Sequence, residues 1–80
     1  MLEEYFDKEE IQILKAIASA ANKCAYSAYL IGGVVRDIFL SKRATDVDVI
    51  IVGDIYKTLS VLKGNIIFKI VKKSLNLIKR

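Results

Sequence analysis

Residues 29–54 read YLIGGVVRDIFLSKRATDVDVIIVGD, and the fold turns on how this stretch is parsed. An apolar run closes at Gly32-Gly33, and Val34-Val35-Arg36-Asp37 follows as a helix start. Nine residues after Asp37 stand two aspartates, Asp46 and Asp48, separated by one valine. Residues 47–52 are β-branched at every position except Asp48. Such a run predicts a central strand buried on both faces, ended here by Gly53-Asp54. On a strand, residues i and i+2 share a face, so Asp46 and Asp48 stand side by side with α-carbons ~7 Å apart. Ile50 and Val52 continue that face, which places the acids at a rim and the hydrocarbon inside.

Outward from this stretch the elements alternate. Residues 28–31 predict a short strand, 34–40 a helix and 41–45 a polar loop. Upstream, Ile11, Ile13, Leu14, Ile17, Ala18, Ala21 and Cys24 recur at helical spacing, so residues 7–23 predict a packing helix. Asp7 is placed to cap it, Glu10 to complete a capping box, and Phe6 to staple back onto the first turn. Downstream, residues 55–62 predict a helix capped by Asp54. Lys63-Gly64-Asn65 reads as a turn. Residues 66–71 then predict a third strand, with Phe68 and Ile70 alternating against Lys69. Residues 75–78 predict a fourth, hairpin-paired with the third across residues 72–74. The order α-β-α-β-α-β-β places the chain in the α/β (α+β) class, with a small mixed sheet flanked by helices. No internal repeat or linker divides residues 1–80, which are read as a single domain.

Bulk properties narrow the chemistry. At 80 residues with 54% apolar content, the chain predicts a packed core near the lower limit of self-sufficiency. It contains no histidine and one cysteine, Cys24, so imidazole catalysis, His-ligated zinc and an intrachain disulfide are excluded. No apolar run reaches the ~18 residues that span a bilayer, so no membrane partner is expected. The acidic start, Met-Leu-Glu-Glu, is unlike a secretory signal, and a cytoplasmic location is expected. The net charge of +4 hides an asymmetry: residues 1–10 carry −4 and residues 11–80 carry +8. The acids beyond residue 10 are Asp37, Asp46, Asp48 and Asp54, all inside the central stretch. From Lys57 onward there are seven basic groups and no acid. A basic body with clustered carboxylates suits a polyanion held through a metal. A solvated basic surface is the plain alternative.

The central stretch carries the candidate chemistry. Carboxylates at i and i+2 of a strand can bridge divalent cations ~4 Å apart, the geometry of in-line phosphoryl transfer. Hard oxygen ligands without softer donors favour Mg²⁺. Against this, Asp46 is equally suited to a turn and Asp48 to an exposed strand edge. The glycine pair before a helix start lets backbone approach an anion, and Arg36 adds a planar cation matched to phosphate. An ordinary strand-to-helix turn, with Arg36 paired to an aspartate, satisfies the same residues. The stretch is neither a Walker loop nor a dinucleotide fingerprint, because it lacks Gly-Lys-Ser/Thr and a third glycine.

Taken together, Gly32-Gly33-Val34-Val35-Arg36-Asp37 and Asp46-Val47-Asp48, on a β-branched strand ending Gly53-Asp54, resemble a known family. It is the head domain of bacterial-type tRNA nucleotidyltransferases (CCA-adding enzymes) and the related bacterial poly(A) polymerases. The resemblance is concentrated in residues 28–54 and compatible in layout along the rest of the chain. It implies a nucleotidyltransferase-type palm, truncated relative to the family, whose neck, body and tail modules have no counterpart here. It further implies that Asp46 and Asp48 are catalytic and hold Mg²⁺. Gly32 and Gly33 would line the nucleotide site, Arg36 would contact the triphosphate, and Asp37 would orient Arg36. Lys42 and Arg43 would lie near phosphates or in a solvated loop, and Thr45 stands where the family often has lysine. The implied partners are ATP or CTP and the 3′ end of tRNA or another RNA. A second expectation is kept open: a non-catalytic nucleotide-binding or assembly module on the same palm. A short sheet leaves an edge that can pair with a second copy or a complementary subunit.

Overall fold

The computed structural model describes residues 6–31 and 47–80. Helix α1 spans Lys8–Lys23 and begins as its sequence dictates. The Asp7 carboxylate accepts the Glu10 backbone N–H at 2.7 Å, and Glu10 Oε1 accepts the Asp7 N–H at 2.9 Å. This reciprocal capping box satisfies donors that the first turn leaves without helical partners. Phe6, just before the cap, is buried and joins the core. Ile13, Ile17, Ala20 and Ala21 form the buried stripe.

Strands β1 (Ser27–Ile31), β2 (Asp48–Val52) and β3 (Asn76–Lys79) form one sheet in that spatial order. β1 runs antiparallel to β2, with Tyr29 opposite Ile50. β3 runs parallel to β2, with Ile50 opposite Ile78. Between β2 and β3 lie helices α2 (Ile55–Val61) and α3 (Gly64–Lys72). The architecture is a small mixed α/β sheet carrying three helices among the described residues, in line with the expected palm.

Two expectations are corrected. Residues 66–71 are not a strand, and of the expected turn Lys63-Gly64-Asn65 only Lys63 lies outside a helix: it is the N-cap of α3, which begins at Gly64. Ile66 and Ile70, one helical turn apart, are buried, while Phe68 is 69% exposed. A strand would have put all three on one face. The apolar content is equally high for either structure, and burial of a face four residues apart outweighs β-propensity. The fourth expected strand exists as β3, but its partner is β2 rather than a hairpin neighbour. Parallel pairing requires a crossover connection, and α2 with α3 supplies it.

β2 also departs from expectation. It is central, but its burial alternates instead of being complete on both faces. Val47, Val49 and Ile51 pack with Ile13, Ile17, Ile66, Ile70 and Leu75 in one cluster. Ala28, Leu30 and Leu77 pack against it from the flanking strands. On the opposite face Tyr29, Val52 and Ile78 are exposed. Asp48, Ile50 and Val52 therefore lie on the open face, and the hydrocarbon interior is under the alternate residues. The expected helix over residues 34–40 and loop over 41–45 lie outside the described residues.

Both longer helices end in the same way. After α1, Ala25 takes φ 61°. The Tyr26 N–H then bonds to Ala21 O at 2.8 Å, and the Ala25 N–H to Asn22 O at 3.0 Å. After α3, Ser74 takes φ 56°. The Leu75 N–H bonds to Ile70 O and the Ser74 N–H to Val71 O, each at 3.1 Å. These are Schellman caps built without glycine at the left-handed position.

Candidate functional site

The four aspartates of the central stretch take different positions. Asp54 is occupied structurally: as N-cap of α2 its carboxylate accepts the Tyr56 and Lys57 backbone N–H groups at 2.9 and 3.2 Å. Its carbonyl accepts the hydroxyl of buried Thr58 at 3.0 Å. Asp48 is the first residue of β2, half-buried, on the open face of the sheet. Asp46 and Asp37 lie outside the described residues, as do Gly32, Gly33, Arg36, Lys42, Arg43 and Thr45.

The sheet register still relates the two halves of the motif. Ile31, the last residue of β1, is the backbone partner of Asp48. Gly32 is the next residue in the chain. The strand that delivers the glycines therefore ends directly beside the strand that begins with Asp48. β1–β2 pairing enforces this, because a one-residue slip would turn Val49 and Ile51 out of the core.

Across the other edge of Asp48 stands Asn76, its register partner on β3. Asn76 Nδ2 donates to Asp48 Oδ1 at 2.7 Å. The Asn76 backbone N–H donates to Val47 O at 3.0 Å. Sequence reading missed this residue because it placed residues 75–78 in a hairpin elsewhere. One signal was present: asparagine is depleted in strands, yet here it interrupts Leu75-Asn76-Leu77-Ile78.

The Asp48 environment suits a hard cation. Its partner is a neutral amide, and among the described residues Oδ2 has no donor and no lysine or arginine pairs with the group. A half-exposed carboxylate oxygen at a strand end is a donor type that Mg²⁺ accepts. No cluster of three or more Asp, Glu, His or Cys side chains forms among the described residues. A second protein carboxylate would come from Asp46, two residues earlier.

The basic groups divide by role. Lys73 Nζ pairs with Asp7 Oδ2 at 2.7 Å and lies 3.7 Å from Glu9 Oε1. Lys69 Nζ donates to Gln12 Oε1 at 2.9 Å. Lys57, Lys63, Lys72, Lys79 and Arg80 are exposed. Lys79 pairs in register with Ile51, at the end of the sheet away from Asp48. A groove of about 240 Å³ between α1 and β1 is lined by Ile11, Leu14, Ala28 and Leu30, and its apolar walls do not include Asp48. No helix among the described residues is long and apolar enough to cross a membrane.

Comparison with known proteins adds one match. A family model described as the poly(A) polymerase head domain matches residues 28–78. No curated protein and no solved structure matches the chain.

Proposed function

The chain belongs to the poly(A) polymerase head-domain family, and from that premise we propose that it is the catalytic head of an RNA nucleotidyltransferase. Family membership carries nucleotidyltransferase-type function. The finer reading is transfer of NMP from ATP or CTP to the 3′ hydroxyl of tRNA or another RNA, in the cytoplasm. The observation that carries it is the register of β1 on β2, in which the residue before Gly32-Gly33 pairs with Asp48. The chain thus runs into Gly32-Gly33 from the residue that pairs with Asp48, which supports a shared site.

Asp46 and Asp48 would hold Mg²⁺. When bound, Mg²⁺ neutralises developing charge on the phosphate oxygens and lowers the pKa of an attacking hydroxyl. The chain's own residues do the rest. Backbone N–H groups around Gly32-Gly33 receive the triphosphate, and Arg36, oriented by Asp37, grips its oxygens in a planar fork. The RNA 3′ oxygen forms a bond to the α-phosphorus, the bond to the leaving oxygen breaks, and pyrophosphate departs. An aspartate takes the hydroxyl proton, so histidine is not required. Exposed Lys57, Lys63 and Lys72 offer salt-sensitive contacts to the RNA backbone.

Calorimetric titration of ATP and CTP into the chain, with Mg²⁺ and then with EDTA, tests the reading. Nucleotide binding should depend on Mg²⁺, and Asp48→Asn should weaken it at least roughly 100-fold without lowering the melting temperature, since metal contacts contribute several kcal/mol. Wild-type affinity in Asp48→Asn would overturn the assignment.

A further inference from the structure

We propose that Asn76 is a positioning residue that orients the Asp48 carboxylate toward its cation, an inference that rests on Asp48 being a metal ligand. Asp48 is half-buried at the first position of a strand, where a carboxylate otherwise rotates freely about its side-chain bonds. The 2.7 Å bond from Asn76 Nδ2 ties Oδ1 to the neighbouring strand. Among the described residues Oδ2 has no donor, which leaves it for the metal. The donor is neutral, so it fixes the group without competing for the negative charge that the cation needs. A lysine at the same place would pair with the carboxylate and oppose the metal. Carboxylate ligands that accept a hydrogen bond of this kind hold metals more tightly because less orientational freedom is lost on binding.

Asn76 is itself well anchored. Its N–H bonds to Val47 O, so the backbone on either side of Asp48 is tied to β3. Leu75, immediately before it, is buried in the core. The Schellman turn at Ser74 sets the angle at which α3 delivers the strand. Asn76 thus transmits the packing of α3 and β3 to the site, which the Asp-x-Asp pattern does not encode.

Mn²⁺ binding followed by electron paramagnetic resonance separates this inference from the reading beneath it. The wild-type chain should bind Mn²⁺, and Asp48→Asn should abolish binding. If Asp48→Asn binds as wild type does, the metal site and the inference both fall. Given that loss, Asn76→Val should weaken Mn²⁺ about tenfold, the lower end of the effect of removing such a support. Valine is a better strand former than asparagine, so a purely structural role for position 76 predicts unchanged or tighter binding. Asn76→Gln, which keeps an amide donor, should recover part of the loss. Wild-type affinity in Asn76→Val, or equal loss in Asn76→Gln, would overturn the positioning role while leaving Asp48 as a ligand. Equal thermal melting of Asn76→Val and wild type excludes unfolding as the cause of any loss.

Discussion

Gly53 and Tyr26 show how one residue closes the sheet above the helices. Gly53 follows β2 with φ 151°, a backbone conformation that side chains rarely adopt. A Cβ there would overlap the ring of Tyr26, the residue just before β1. Gly53→Ala must therefore strain the backbone and displace an aromatic ring together. We expect a loss of ~2–4 kcal/mol from those two causes, read as a lower midpoint in urea unfolding. An unchanged midpoint would show that the ring moves aside freely. The same turn separates the aspartates by role. Asp54 is committed to capping α2, whereas Asp48 accepts from Asn76 on the neighbouring strand, although in sequence both are acids of one β-branched run.

At the scale of elements, helix endings and helix identity are where sequence signals were weakest. Gly and Asn announce a left-handed cap, but α1 and α3 end on Ala25 and Ser74. Each of these holds a conformation that costs an L-residue ~1–2 kcal/mol, offset by the two Schellman hydrogen bonds and a buried hydrophobic contact. Replacing either by glycine removes that cost, less the greater entropy of glycine in the unfolded chain. Ala25→Gly and Ser74→Gly should each stabilise by roughly 0.5–1 kcal/mol, and thermal melting of the single and double variants checks this. The effects should add, because the two turns share no hydrogen-bond partner. The identity of α3 is ambiguous in sequence for a related reason. Ile66-Ile67-Phe68 and Ile70-Val71 fit strand and helix composition alike, and burial at Ile66 and Ile70 with exposure of Phe68 and Val71 reveals the helical period.

For the whole molecule, the acidic amino-terminal segment and the basic carboxy-terminal half prove to be mutually engaged. Lys73, the C-cap of α3, reaches the Asp7 carboxylate that caps α1. Residues 66 positions apart in the chain thereby join the helices that cover the sheet. The hydrogen bond to Asp7 holds the Lys73 ammonium above its ordinary value of 10.5, with partial desolvation opposing and the Asp7, Glu9 and Glu10 charges adding to the rise. A raised lysine pKa means the clamp is fully present below pH 10.5 and is lost as pH climbs through the folded-state value. Lys73→Met should therefore melt earlier than wild type near about pH 8, and the gap should close in more alkaline buffer. A gap independent of pH would assign the effect to packing of the lysine stem. The helices and this clamp lie on the covered side, which leaves Asp48, Asn76, Tyr29 and Ile78 together on the open face.

Local chemistry was sufficient for much of this protein. The capping box at Asp7 and Glu10, the Asp54 cap, the strand character of residues 48–52 and the family were legible because each rests on neighbours in the chain. The place of Asp48 on that strand was legible as well, but not the openness of the face it shares with Ile50 and Val52. Which face of that strand meets the core was not legible, because the five β-branched residues among positions 47–52 look alike until helices cover one side. The identity of α3, the parallel partner of β3 and the Asn76 amide on Asp48 were equally hidden. Each depends on which distant residues bury Ile66, Ile70 and Leu75, and that is settled by packing of the assembled chain rather than by any window of sequence.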